Sequence, residues 1–221
     1  MADDYGLITL TEPGSPISEA YRTLRMNLQF ASLDTKLDSL LITSPSAGEG
    51  KSTTLANLAV TMAQMERQVI VVDADLRRPY LHTLFRVPSD VGLTTMMLED
   101  AALAEPPLCD TSVPGLRVLP TGTLPPRPAD LLGSRRMEAL IAALRERADV
   151  VIFDAPPILA ATDAVILATK LSGVLLVVSA GETRRESAQQ AVERLRKVNA
   201  NLLGAVLNNA PVEAGLGGYY G

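Results

Sequence analysis

From Ser44 to Thr53 the chain reads Ser-Pro-Ser-Ala-Gly-Glu-Gly-Lys-Ser-Thr, an order of residues that can hold a phosphate. Gly48 and Gly50 let the backbone curl so that N–H groups point inward, Lys51 supplies a cation for the β- and γ-phosphates, and Ser52 supplies a hydroxyl for Mg2+. Ala47, Glu49 and Thr53 complete the backbone around the nucleotide. The strict pattern wants glycine at position 45, where this chain has Pro45. Taken alone, the loop also fits an ordinary glycine-rich turn from a strand into a helix.

Two acids change that balance. The run Val69-Ile70-Val71-Val72 ends in Asp73, with Asp75 two residues on, and the run ending at Phe153 delivers Asp154 before Ala155, Pro156 and Pro157. A carboxylate at the end of a buried strand is costly unless it is paired or bound to a cation. In open parallel sheets that edge is where ligands bind. Asp73 and Asp154 are therefore candidate metal-site residues beside Ser52, with Asp154 holding Mg2+ through water, whereas Asp75 equally fits a helix cap. Asn208, at the exit of a later apolar run, either contacts the amino group of adenine or occupies a turn conformation that asparagine tolerates.

The elements that must position these groups follow from periodicity. Strands are expected at 39–43, 69–73, 116–119, 150–154, 174–178 and 203–207, and helices at 51–66, 134–147, 161–170 and 184–198. Their alternation predicts an α/β fold with a mostly parallel sheet and helices on both faces, a P-loop NTPase arrangement within residues 1–210. Thr183 followed by Glu186 predicts a capping box on the last helix. The proline- and glycine-rich stretches 105–115 and 120–130 read as loops, and 211–221 as a flexible tail. In 17–31, Ala20, Leu24, Leu28 and Ala31 share one helical face, predicted to pack, and Glu19, Arg22 and Arg25 fall roughly opposite, as on a solvated surface.

Composition narrows the field. With 221 residues, 47% of them hydrophobic, one buried core is expected. The net charge of −5 and the lack of long basic runs argue against a nucleic-acid partner. The single cysteine, Cys109, excludes an internal disulfide and fits a reducing compartment. The one histidine, His82, excludes a multi-histidine metal site and reads as surface or packing. No uncharged run reaches the length of a bilayer span, since Lys170 interrupts the apolar stretch 165–180, and the first residues carry Asp3 and Asp4 where a secretory signal would be basic.

From Ile17 to Asn209 the chain resembles the bacterial tyrosine kinases that regulate capsule and exopolysaccharide synthesis. The resemblance rests on Gly48 to Thr53, on Asp73-Ala74-Asp75-Leu76-Arg77-Arg78-Pro79, on Asp154 to Pro157, on Pro125 to Leu132, and above all on Glu19-Ala20-Tyr21-Arg22-Thr23-Leu24-Arg25. It departs from the related partitioning ATPases, which carry a signature lysine at the position of Ser46, and so argues against their dimer mechanism.

The resemblance implies ATP and Mg2+ as nucleotide and metal, with Lys51, Asp73, Asp75 and Asp154 in catalysis; a tyrosine hydroxyl, protonated at neutral pH, then needs a base, for which Asp73 is the candidate. It implies Glu19, Arg22 and Arg25 as the contact that builds a ring-shaped homo-oligomer, and Tyr219 and Tyr220 as autophosphorylation targets, in a cluster shorter than usual. Also implied are a membrane activator or polysaccharide copolymerase segment, a cognate tyrosine phosphatase, and a place at the inner face of the cell membrane, through a partner or a spanning segment outside these residues. Two rivals share the phosphate site: a switch ATPase that never modifies tyrosine, and a nucleotide-gated assembly scaffold.

Overall fold

The structure is a computed structural model, and it describes residues 6–31 and 36–211. Tyr219 and Tyr220 lie outside the described residues, as does most of the expected tail.

In chain order the elements are α1 (Ile8–Thr11), α2 (Pro16–Ala31), β1 (Ser39–Thr43), α3 (Lys51–Ala63), β2 (Val69–Asp73), α4 (Leu81–Leu84), α5 (Leu93–Leu98), α6 (Asp100–Ala104), β3 (Cys109–Asp110) and β4 (Leu116–Leu119). They continue with α7 (Pro128–Gly133), α8 (Arg135–Arg145), β5 (Val150–Asp154), α9 (Asp163–Ala168), β6 (Gly173–Ser179), α10 (Arg185–Lys197) and β7 (Leu202–Asn208). Among the described residues the strands form a seven-stranded sheet ordered β3-β4-β2-β5-β1-β6-β7. All neighbours run parallel except β3, which is antiparallel to β4.

Successive residues of the central strands point to opposite faces, and both faces are apolar because both are covered. Leu41, Ile70, Val72, Val151 and Phe153 join Leu140, Leu144 and Leu195 in one core cluster. Leu40, Ile42, Val69, Val71 and Ile152 join Leu55, Leu58 and Leu81 in the other. This alternation fixes the register, since a slip of one residue would exchange the two cores. The register in turn sets Asp73 opposite Asp154, and Asp154 opposite Ile42 of β1. The chain winds from β1 to one side as far as β4 and β3, then crosses to β6 on the other. The loop after β1 therefore opens at a reversal of strand order, where open sheets bind ligands.

The strands expected at 39–43, 69–73, 116–119 and 150–154 have those bounds, and β6 and β7 each extend one residue further at both ends. Stretch 105–115 contains β3, and 120–130 runs into α7, because Pro128 has the backbone angle of a first helical turn. The expected capping box on the last helix is absent. Arg184 is the N-cap residue and no side chain caps the helix. Thr183 is engaged elsewhere, as described below.

The 17–31 expectation holds for Leu24 and Leu28, which pack on the core, and needs correction elsewhere. Ala20 and Ala31 are exposed, whereas the buried residues of α2 are Ser18 and Leu28. The Ser18 hydroxyl bonds to the carbonyls of Ile8 and Glu12, and Arg25 reaches the carbonyl of Thr61 on α3 at 2.8 Å. Arg25 therefore lies on the packed side of the helix, because a long side chain can bury its stem while its guanidinium finds a carbonyl at the end of α3.

Candidate active site

The loop between β1 and α3 depends on its glycines. Gly48 and Gly50 have φ of 85° and 84°, in the left-handed region that side chains disfavour. Glu49 between them is buried, and its carboxylate is a brace rather than a free charge. Oε2 accepts from the Ser46 amide at 2.9 Å, and Oε1 accepts from the Thr183 hydroxyl at 2.6 Å. Thr183 itself accepts from the Ser179 amide at 2.8 Å, which ties the loop to the exit of β6. Thr183 is a site residue missed at the sequence level, because its pattern with Glu186 matched a helix cap. Pro45, the departure from the strict pattern, is buried, and its carbonyl accepts from the Leu159 amide at 3.3 Å.

Lys51 stands where the three acids converge. Its Nζ lies 3.1 Å from Asp75 Oδ2 and 3.1 Å from Asp154 Oδ1. Ser52 donates to Asp154 Oδ2 at 2.5 Å. Burial alone would push the Lys51 ammonium down, but Asp154 and Asp75 outweigh it and leave its pKa above the usual lysine value. Asp154 is fully buried, and that burial raises its pKa against the opposing pull of Lys51 and Ser52. Asp75 uses its other oxygen to accept from the Arg77 and Arg78 amides at 3.3 and 3.0 Å. These bonds close a turn rather than cap a helix, since α4 starts at Leu81 with Tyr80 as its N-cap residue, and the other oxygen faces Lys51.

Asp73 Oδ2 accepts from the amides of Tyr80 and Leu81, each at 2.9 Å. Its Oδ1 is buried without a hydrogen-bond partner among the described residues. Burial, with the neighbouring Asp154 charge second, pushes the Asp73 carboxyl up to about 7, against the two amides and Lys51. Asp75 and Asp154 thus share one ammonium, and Asp73, opposite Asp154 on the neighbouring strand, keeps one oxygen without a partner among the described residues. A divalent cation fits beside Ser52 and Asp154 and phosphate oxygens, and the unpartnered Asp73 oxygen is open either to that cation or to a proton.

Asn208 lies at the loop rather than apart from it. Its Nδ2 donates to the Glu49 carbonyl at 3.1 Å, which leaves the acceptor oxygen of the same amide uncommitted by that bond. Beside it is a cavity of about 570 Å3 whose walls include Tyr21, Leu24, Thr53, Asn57, Leu207 and Asn208. This largely apolar space against the start of α3 suits a purine base. Asn57 holds its wall, accepting from the Thr9 amide and hydroxyl at 3.1 and 2.9 Å. Ala47 and Thr53 are exposed, the first on the loop and the second on the first turn of α3.

The expected oligomer contact is internally satisfied. Glu19 and Arg22 pair with each other, Arg22 also donates to the Pro13 carbonyl at 2.6 Å, and Arg25 is held by Thr61. His82 is half-buried, with Nε2 3.1 Å from the Thr83 hydroxyl.

Comparison with known proteins agrees with this geometry. Residues 37–214 match a ParA family model described as NUBPL iron-transfer P-loop NTPase. Tyrosine-protein kinase YwqD of Bacillus subtilis (strain 168) is 45% identical over 216 residues, spanning 97% of this chain and 91% of that kinase. The crystal structure of the chimerical protein CapA2B2 superposes with a TM-score of 0.89 at 35% identity, covering 96% of this chain and 93% of that one. The kinase domain of Escherichia coli tyrosine kinase ETK follows with a TM-score of 0.87 at 31% identity, covering 94% and 81%. Similarity that runs through the phosphate loop and both acid-bearing strands, over nearly the full length of YwqD, leads to one conclusion: the chain belongs to the bacterial tyrosine-protein kinases, within the ParA-type P-loop NTPase fold.

Proposed function

We propose that this chain is an ATP-dependent protein-tyrosine kinase whose acceptors are Tyr219 and Tyr220 of its own C-terminal tail, reached between subunits of a homo-oligomer. The observation that carries the catalytic part is Asp73. It is a buried carboxylate with one uncommitted oxygen and a pKa raised to about 7, at the sheet edge that also holds Lys51. A tyrosine hydroxyl, with a reference pKa of about 10, is protonated at neutral pH and gains from a base within reach.

Asp73 takes the hydroxyl proton as the tyrosine oxygen bonds to the γ-phosphorus and the bond to the β,γ-bridging oxygen breaks, with ADP leaving. Lys51 offsets charge on the phosphates, the amides around Gly48 and Gly50 fix their position, and the Asn208 amide meets the base. Ser52 and Asp154 would hold Mg2+, which would supply further charge neutralisation. Asp75 keeps Lys51 aligned.

Glu19, Arg22 and Arg25 belong to the assembly surface in this reading, with their internal partners exchanged for those of a neighbour. A membrane activator or polysaccharide copolymerase segment brings the chain to the inner face of the membrane, a tyrosine phosphatase resets the tail, and the output is control of capsular or exopolysaccharide synthesis. No helix of the described residues is long and apolar enough to cross a membrane.

A mixing assay tests transfer between subunits. A Lys51→Met chain with an intact tail is incubated with Mg-ATP and an active chain carrying Tyr219→Phe and Tyr220→Phe. Phosphate on the Lys51→Met tail is the expected result. No phosphate on the Lys51→Met tail, while the unmodified chain incubated alone phosphorylates its own, would replace this reading with transfer within one subunit.

A further inference from the structure

Asp163, the first residue of α9, has no solvent exposure. It is an acid buried outside the converging cluster and needs a partner of its own. That partner is Arg77, whose Nε donates to Oδ2 at 2.8 Å and whose Nη2 donates to Oδ1 at 3.0 Å. The guanidinium fork matches the carboxylate, so the pair fixes orientation as well as distance. The Arg77 side chain is 46% exposed, so screening limits what the pair adds to overall stability, and its importance is geometric.

The geometry leads back to the reacting groups. The Arg77 and Arg78 amides both donate to Asp75 Oδ1, and Asp75 Oδ2 faces Lys51 Nζ at 3.1 Å. One end of the 75–78 turn is thus fixed to Lys51 and the other to α9. The strands that precede these segments, β2 and β5, are neighbours with Asp73 opposite Asp154. The pair between Arg77 and Asp163 is a second tie between the two acid-bearing segments, made beyond the sheet where backbone pairing has ended.

We infer that Asp163 is a positioning residue for phosphoryl transfer, holding the turn that carries Asp75 against Lys51 through Arg77. The inference rests on the reading of Lys51 and Asp75 as catalytic groups. The phosphate loop keeps its own bracing from Glu49 and Thr183, so loss of the tie should leave nucleotide binding in place and misalign the transfer step. A misplacement of about 1 Å at a reacting centre can cost up to about a hundredfold in rate.

The test measures tyrosine phosphorylation at varied ATP for the whole chain carrying Asp163→Asn, Arg77→Lys, both changes together, or Asp75→Asn, with thermal midpoints alongside. Asp163→Asn and Arg77→Lys should each lower kcat about tenfold or more, with KM for ATP within about twofold of the unmodified chain. The double variant should be no worse than the weaker single, because both act through one contact. A lowered thermal midpoint with unchanged kcat would overturn the inference in favour of a merely structural tie. Equal losses in kcat and nucleotide affinity, or multiplying effects in the double variant, would overturn it as well. Retained kcat in Asp75→Asn would remove the underlying catalytic reading, whereas loss there with full activity in Asp163→Asn would sink this inference alone. If Asp163→Asn fails to fold, Arg77→Lys, at a half-exposed position, carries the same test.

Discussion

The side-chain amide of Asn208 lies so close to Gly50 that a methyl group on residue 50 would sit 2.1 Å from Asn208 Nδ2. The end of β7 and the first turn of α3 are thereby keyed together at the nucleotide loop. Gly50→Ala meets both this contact and a φ of 84°, where a side chain costs about 1–2 kcal/mol. A loss of ATP affinity of about tenfold or more, with the helical spectrum retained, is expected by titration. Asn208→Ala opens the contact but removes the amide, so affinity should fall by about tenfold and the preference for ATP over GTP should narrow.

Thr183→Val tests the brace on the loop. It leaves the buried Glu49 Oε1 without its 2.6 Å donor, at a cost of about 1–3 kcal/mol. Thermal denaturation without nucleotide should show the lower midpoint, and ATP should restore less of it than in the unmodified chain.

Asp73 makes stability depend on pH in a defined direction. Its carboxyl is raised from 3.8 to about 7 in the folded chain, so between those values the folded state binds the extra proton. In the protein free of nucleotide and Mg2+, the contribution of Asp73 to stability therefore falls as pH rises from about 4 to about 7 and levels off above. Asp73→Asn removes this contribution. The variant should melt higher than the unmodified chain at pH 8, show no such gain at pH 4, and lose phosphotransfer by about a hundredfold.

Arg25 and Arg22 should separate in a stability measurement. Arg25→Ala leaves the Thr61 carbonyl at the end of α3 without its 2.8 Å donor and should lower subunit stability by about 1 kcal/mol. Arg22 pairs with a partly exposed Glu19, and Arg22→Ala should stay within about 0.5 kcal/mol in denaturant unfolding. Loss of assembly in Arg25→Ala must accordingly be read beside its melting curve.

These contrasts also mark what the sequence could disclose. Strands such as Val69–Asp73 are legible because every residue is apolar up to the final acid, and both faces of the sheet are covered. Lys51, Ser52, Asp73 and Asp154 are legible because each stands at a strand exit or on the loop, where topology alone brings them together. The short helices α1, α4, α5 and α6 span no more than six residues, too few for a helical period to show. Thr183 is not legible in the sequence because its local pattern matches a cap, while its partner Glu49 is 134 positions away. Arg25 reads as solvent-facing because it is charged, whereas a carbonyl at the end of α3 lies within its reach.

The most direct measurement is phosphosite mapping by mass spectrometry of the purified chain after incubation with Mg-ATP, beside Lys51→Met, with an activating membrane-protein segment supplied. Phosphate on Tyr219 or Tyr220 that is absent from the Lys51→Met control is the predicted result. Unmodified tyrosines despite Lys51-dependent ATP hydrolysis would contradict the account and leave a nucleotide switch in place of tail phosphorylation.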